Sequence, residues 1–334
     1  MRKIIFSALV VASSLFADSV VNVYSSRHYD SDKMVFDAFT KETGIKVNVI
    51  QDKIESITQK LELEGKDTIA DVFMTVGVGD LYNVKQKGLL QPINSKIVDE
   101  NIPLELMDKD KNWVGITYRA RVLVYDPKQI DKKELSSYEA LSGDKFKGKI
   151  LTRSSTSSYN KHLIAFLIAK DGEAKTKEWA KGLVANFARA PKGNDRDQAK
   201  AIVSGVGSVA IMNSYYMGRM SVSKDPVEQE VARDLKVFFP NQNDGGTHIN
   251  LSGAGVTKYA KNKDNAVKFI EFLTTPKAQE IFAKTNFEFP ANPKAEPADI
   301  VKSWGEFKKS NIDFDEIGKN LTKAQMIADE VMWK

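Results

Sequence analysis

Short apolar runs alternate along this chain with longer stretches in which apolar residues recur every three or four positions. VVNVYSS is of the first kind and predicts a strand running into a loop. HYDSDKMVFDAFTKETG is of the second kind. Met34, Val35, Ala38 and Phe39 share one helical face, Asp30 or Ser31 can cap its start, and Gly44 can end it. IKVNVI, ESITQKLELEG, ADVFMTV and GDLYNVKQKG continue the series as strand, helix, strand and helix. Strands without strict alternation, separated by helices, predict a mostly parallel α/β sheet.

Two segments break that rhythm. WVGITYRARVLVYDP is long, extended and rich in β-branched residues, and VFFPNQNDGGTHINLSGAGV reads as a second extended connection. Between them lie the helical patterns YNKHLIAFLIAKDG, KTKEWAKGLVANF and DRDQAKAIVSG, then the strand SVAIMN, which feeds directly into SYYMGRM. Helices DNAVKFIEFLTT, PKAQEIFAK and LTKAQMIADEVM follow. Two extended crossovers suit two α/β lobes with a cleft between them, and 334 residues are enough for both.

The first residues change the picture of location. Arg2 and Lys3 precede the apolar run IIFSALVVASSLF, and Ala17 closes it, which is the form of a secretory leader over residues 1–17. Leu15 stands where a small residue is usual, so the cleavage pattern is partial. The chain has no cysteine, which excludes disulfides, thiolate metal sites and a lipidated N-terminal cysteine. No internal run is long enough to cross a membrane. The formal charge is +5, and loss of Arg2 and Lys3 would leave +3. Lysine-rich pieces such as DKKELSS also carry acids, and no basic stripe with interleaved aromatics marks a nucleic-acid surface. A freely soluble periplasmic protein fits these features.

Candidate chemistry rests on histidine and tyrosine. Of three histidines, His28 lies in the loop SSRHYD between a strand and a helix, where open α/β sheets place ligand contacts. His162 lies inside an apolar helix and reads as structural, whereas His248 can bind, hydrogen-bond or face water. Tyr159 follows the Ser/Thr-rich loop RSSTSS and begins a helix; Tyr215 and Tyr216 begin another after a buried strand. Phenols titrate near ~10, so phenolates at neutral pH need a strong cation, and Fe(III) is a hard acid suited to that oxygen. An aromatic cluster lining a core or a sugar pocket is the competing reading of the same residues. Arg119 and Arg153 can offset ligand charge or hold an anion, and residues 154–158 can form an oxyanion nest. Asp52, Glu55, Glu62 and Glu64 read as a solvated face. No GxxxxGK[ST], HExxH, GxGxxG or GxSxG motif is present.

Together these residues resemble the periplasmic ferric-iron-binding proteins of iron ABC transporters. VNVYSSRHYDSDKMVFDAFTKETGIKV resembles the family's opening, ADVFMT and YRARVLVYDP resemble internal blocks, and SVAIMNSYYMGRM carries the paired tyrosines. The resemblance covers nearly the whole chain after the leader. It implies a type II periplasmic-binding-protein fold: one lobe from residues 18–118 and 241–290, the other from 119–240 and 291–334, joined by extended hinge strands. It also implies Tyr215 and Tyr216 as ferric ligands. Many members add a glutamate just after the ADVF-like strand, but Val76 stands there. That departure points to the tyrosine-rich subgroup, with Tyr159, Tyr29 and His28 completing the set. On this reading the cargo is Fe(III), the partner is an inner-membrane permease, the protein is a monomer, and it is not an enzyme. The alternative from the residues themselves is an oxyanion or small organic anion held by Arg153 and residues 154–158.

Overall fold

The computed structural model describes residues 19–334, so the leader expected over residues 1–17 lies outside the described range. VVNVYS forms β1 (Val20–Ser25), which pairs in parallel with β2 (Lys46–Gln51) on one side and with β3 (Val72–Thr75) on the other. The helices Asp30–Thr43 and Ile54–Glu64 connect these strands. β3 is also antiparallel to β9 (Ile249–Thr257), whose nine residues are all buried.

β5 (Val114–Tyr125) is the strand that joins the two halves. Its residues up to Ala120 pair with β9, and Arg121 to Tyr125 pair with β7 (Val209–Asn213). β6 (Ile150–Leu151) lies beyond β7, giving the order β2-β1-β3-β9-β5-β7-β6. The short strands β4 (Leu90–Gln91), β8 (Lys236–Phe238) and β10 (Phe289–Pro290) pair with β9, β5 and β5 respectively. A 12-residue strand is about 40 Å long at ~3.3 Å per residue, enough to cross from one half to the other.

The sheet expected to be mostly parallel is mixed: β1 pairs in parallel with β2 and β3, and β6 with β7, whereas β5 and β9 are antiparallel to every strand they pair with. Three local expectations are also corrected. Tyr29, not Asp30 or Ser31, stands at the start of the first helix, and no side chain caps it. The Ser31 hydroxyl instead accepts from Asn286 and Asp32 pairs with Arg27. The buried face of that helix includes Val35, Phe36 and Phe39, while Met34 is exposed. It is turned because Phe36 and Phe39 pack their rings 5.5 and 5.0 Å from Phe269. The second extended connection is divided: β8 ends at Phe238, and the chain turns through positive φ at Asn241, Gly245 and Gly246 before β9 begins.

The last helices hold the halves together from outside. The helix Phe314–Lys319 packs on both Val78–Gln86 and Ser158–Asp171, and Leu321–Glu330 packs on the latter. Lys85 is nearly buried among Asp108, Asp110 and Asp315, which ties the Phe314–Lys319 helix to the first half. Gly318 permits this approach, since a Cβ there would lie 2.3 Å from Tyr82 Cγ. Tyr82 Cγ sits at the base of its side chain and cannot swing aside. Gly318→Ala should therefore destabilise the protein by about 1–3 kcal/mol despite alanine's better helix propensity. Denaturant unfolding of this variant beside the parent checks this; equal or higher stability would show that the helices can separate without cost.

Candidate functional site

Tyr215 and Tyr216 are placed by a reciprocal backbone clasp. β7 is buried at every position, so its end is fixed. Ser214 then donates its N–H to the carbonyl of Ala120 on β5 at 2.9 Å, and its hydroxyl accepts the Ala120 N–H at 3.2 Å. The next residue opens the helix Tyr215–Ser221. Adjacent residues within a helix point about 100° apart, yet these two rings stack with centroids 4.2 Å apart and planes 29° from parallel.

Tyr159, in the first turn of the helix Ser158–Asp171, brings its hydroxyl 3.2 Å from that of Tyr215. Tyr29 approaches from the loop after β1, near enough that its charge and that of Tyr159 act on each other. The four phenols thus share one electrostatic neighbourhood. Burial first, then the charges of Tyr159, Tyr29 and Tyr216, hold the Tyr215 phenol well above its ordinary value. Burial, then Tyr159 and Asp195, push Tyr216 up to about 12. Tyr29 is raised by burial and by Glu288, with Arg119 and Arg27 opposing. Without a cation these phenols keep their protons at neutral pH. A hard multivalent cation reverses that preference.

His28 is placed differently. It is exposed, its ring lies 4.9 Å from that of Tyr29, and among the described residues it makes no hydrogen bond to the phenols. His162 is structural as expected: Nδ1 lies 2.6 Å from the carbonyl of Ser158, and Nε2 accepts the Gly79 N–H at 3.2 Å. His248, which the sequence left open, is buried and stacked 4.9 Å from Phe166. Val76 offers only its carbonyl, to Arg119. No group of three or more His, Asp or Glu side chains among the described residues is placed to hold a metal ion.

Cations surround the tyrosines. The Arg27 guanidinium lies 5.2 Å from the Tyr29 ring and Arg219 lies 5.8 Å from it. Arg153 and Arg121 lie 5.0 and 5.8 Å from the Tyr159 ring. Of these, only Arg153 was singled out by sequence, together with Arg119. Arg121 had a readable signal, because residues two apart on a strand share a face, and both Arg119 and Arg121 are buried. Asp195 and Glu288, also buried, carried no such signal. Nor was Glu64 free in solvent: it accepts from the Tyr24 hydroxyl at 2.9 Å and from Thr68 at 2.8 Å. Beside the phenols, a cleft of about 850 Å³ is lined by Ser26, Lys53, Asp80, Lys161, His162 and Leu321.

Residues 34–309 match the bacterial extracellular solute-binding protein family. The chain belongs to that family. It is 44% identical over 314 residues to iron uptake protein A1 of Synechocystis sp., covering 94% of this chain and 87% of the relative. It is 30% identical over 292 residues to the major ferric iron-binding protein of Neisseria meningitidis, covering 86% and 85%. Its fold matches the structure of Trichodesmium IdiA (FutA) in complex with iron and citrate ligands, with TM-score 0.91 and 45% identity over 95% of this chain and 100% of that one. The mixed α/β sheet with β5 and β9 shared between halves is the solute-binding fold of these relatives.

Two titratable groups on facing sides of the cleft act oppositely on stability. Burial holds His162 down at about 4. Between that value and the unfolded ~6.5, the unfolded chain takes the proton and the folded one does not, so stability falls with acid. Burial holds the Asp80 carboxyl up at about 6. Its ionisation therefore weakens the fold, fully above pH ~6 and not at all below ~4. Against this, a carboxylate in the first turn of Val78–Gln86 gains about 0.3–1 kcal/mol from the helix dipole. Asp80→Asn should be more stable than the parent by about 1–2 kcal/mol at pH 7, with the gain vanishing near pH 4. Denaturant titrations at both pH values check this; a gain that persists at pH 4 would rule out ionisation as its cause.

Proposed function

We propose that this protein captures Fe(III) in the cleft between its two lobes in the periplasm and delivers it to an inner-membrane ABC permease. The observation that carries the reading is the convergence of Tyr29, Tyr159, Tyr215 and Tyr216, from three separate segments, on one neighbourhood rimmed by arginines. A sugar pocket would not gain from phenols packed so that Tyr29, Tyr215 and Tyr216 hold their protons more tightly, whereas a trivalent hard cation would. The relatives support the same cargo by their names: iron uptake protein A1 and the major ferric iron-binding protein. A Serratia marcescens relative, 28% identical over 294 residues, is an Fe(3+)-binding periplasmic protein. No helix among the described residues is long and apolar enough to cross a membrane, in keeping with a diffusing carrier.

The ligand set in this proposal is His28 through one ring nitrogen and the phenolates of Tyr29, Tyr159, Tyr215 and Tyr216. His28 and Tyr29 belong to the lobe of residues 18–118 and 241–290, the other three to the lobe of 119–240 and 291–334. Iron that bridges both sets favours the closed arrangement over an open one, because only closure satisfies all five ligands. Four phenolates around Fe(III) leave one net negative charge, which the surrounding guanidinium groups offset. Five protein donors leave little open coordination for turnover, and on this reading the protein acts as a binding component rather than an enzyme. The anion alternative loses its arginine, since Arg153 already lies 3.7 Å from the Asp195 carboxylate.

Loading should give a visible phenolate-to-iron charge-transfer band. It should also release close to one proton per phenol recruited, because the phenols are protonated beforehand. Affinity should accordingly fall steeply as pH drops. The Tyr215→Phe, Tyr216→Phe double variant should weaken the band and lose more than about 100-fold in affinity. Titration with ferric citrate, followed by absorbance and by competition with a chelator, measures all three. A colourless loaded parent, or unchanged affinity in the double variant, would end this assignment.

A further inference from the structure

Behind the phenols lies a buried ion pair that takes no part in the ligand set. Arg121 on β5 is 1% exposed, and Asp195, the first residue of the helix Asp195–Val203, is 0% exposed. One arm of the guanidinium, Nη1, donates to Asp195 Oδ2 at 2.9 Å and to Asn213 Oδ1 at 3.2 Å. The other, Nη2, donates to Asn160 Oδ1 at 2.6 Å. Asp195 Oδ2 also accepts the backbone N–H of Asn213 at 2.8 Å.

The partners of this pair decide what it does. Asn160 is the residue after Tyr159, and Asn213 stands two residues before Tyr215. The pair therefore ties the segment carrying Tyr159 to the segment carrying Tyr215 and Tyr216, and ties both to β5. The Arg121 N–H donates to the carbonyl of His248 at 2.9 Å, which fixes Arg121 in turn to the chain just before β9. We propose that Arg121 and Asp195 are positioning residues, which hold the Tyr159 hydroxyl against those of Tyr215 and Tyr216 before a cation arrives. The proposal builds on the ferric reading of the tyrosines and adds how three of them are kept in place.

Two physical arguments separate this role from ordinary core stability. A buried ion pair is seldom more stabilising than apolar residues of the same volume, so stability alone does not account for it. Arginine also has a planar fork whose arms reach different partners, which a lysine ammonium cannot reproduce. Charge gives a second link. Arg121 and Arg153 both flank the Tyr159 ring and both face Asp195. Two cations and one carboxylate leave one net positive charge behind a site whose ferric form carries one net negative charge.

The test uses three readouts on the full chain with ferric citrate as probe. They are ferric affinity, the wavelength of the charge-transfer band, and the Tyr159–Tyr215 hydroxyl separation, 3.2 Å in this structure, compared between crystals of the iron-free parent and variants. The Arg121→Met, Asp195→Leu double variant removes both charges at once, so none is left buried and unpaired. It should lose about 10–100-fold in affinity, shift the band and widen the separation. Arg121→Lys, which keeps the charge and one arm, should fall between it and the parent, and supplies the same readouts if the double variant does not fold. Parent affinity and band in both variants would overturn the proposal, and so would lower affinity with an unshifted band. A parent that shows no band would sink the ferric reading alone. The iron-free separation then still judges positioning, and a separation in the variants equal to that in the parent crystals would overturn it.

Discussion

The mutual repulsion of buried phenolates is the constraint on which the rest of this structure depends. Neutral phenols can be buried together at little cost, and here the hydroxyls of Tyr159 and Tyr215 are within hydrogen-bonding distance. Ionising them is another matter. Each charge is removed from water and placed near others of the same sign, so Tyr215 and Tyr216 both bind their protons more tightly than free tyrosine does. Such a site is quiet toward weak or singly charged cations. Only a partner whose attraction exceeds the summed desolvation and repulsion can displace the protons. The same feature that makes the empty site unwilling to ionise thus makes it selective.

That constraint explains why the supporting structure is so polar and so deeply buried. The clasp between Ser214 and Ala120 fixes the paired tyrosines to β5 through one backbone bond and one to the Ser214 hydroxyl. Guanidinium groups lie over the rings, 5.2 Å from the centre of Tyr29 and 5.0 and 5.8 Å from that of Tyr159. A guanidinium over a ring face offers positive potential without competing for the oxygen. β5 belongs to both halves, so any rotation of one half about it moves Tyr29 relative to the other three phenols. Gly79 N–H donates to His162 Nε2 at 3.2 Å, a direct contact between the Val78–Gln86 and Ser158–Asp171 helices.

Much of this was legible in the sequence, and the limits are instructive. Tyr159, Tyr215 and Tyr216 stood out because each follows a recognisable break and opens a helix, a place with unpaired N–H groups. Tyr29 and His28 stood out by their loop between strand and helix. What escaped notice depends on long-range packing. Arg121 looked like one more residue of an extended crossover, and its partners lie 39, 74 and 92 positions away. Asp195 sat in the polar string DRDQ, which reads as a solvated helix start until β7 is laid against it. Helix periodicity gave the Asp30–Thr43 helix but not its rotation, because Phe269, 230 or more positions on, decides which side faces inward. The division of the second extended segment rested on positive φ at Asn241, a residue type that tolerates the left-handed region without announcing it.

In the proposed ferric site, release follows from the same electrostatics as capture. With Fe(III) bound, four phenolates and the flanking guanidinium groups would come close to balance. Reduction to Fe(II) removes one positive charge from the centre and none of the negative charge around it, leaving the phenolates under-compensated in a poorly solvated place. The raised proton affinity of Tyr29, Tyr215 and Tyr216 then works in the opposite direction: each of these phenolates gains more from a proton than a solvent-exposed one would, and protonation withdraws a ligand. Acid reaches the same end without reduction, by mass action on the same oxygens. A site that suppresses ionisation in its empty form is therefore already biased toward letting go, and the tightness of the loaded state depends on the third positive charge of the cargo.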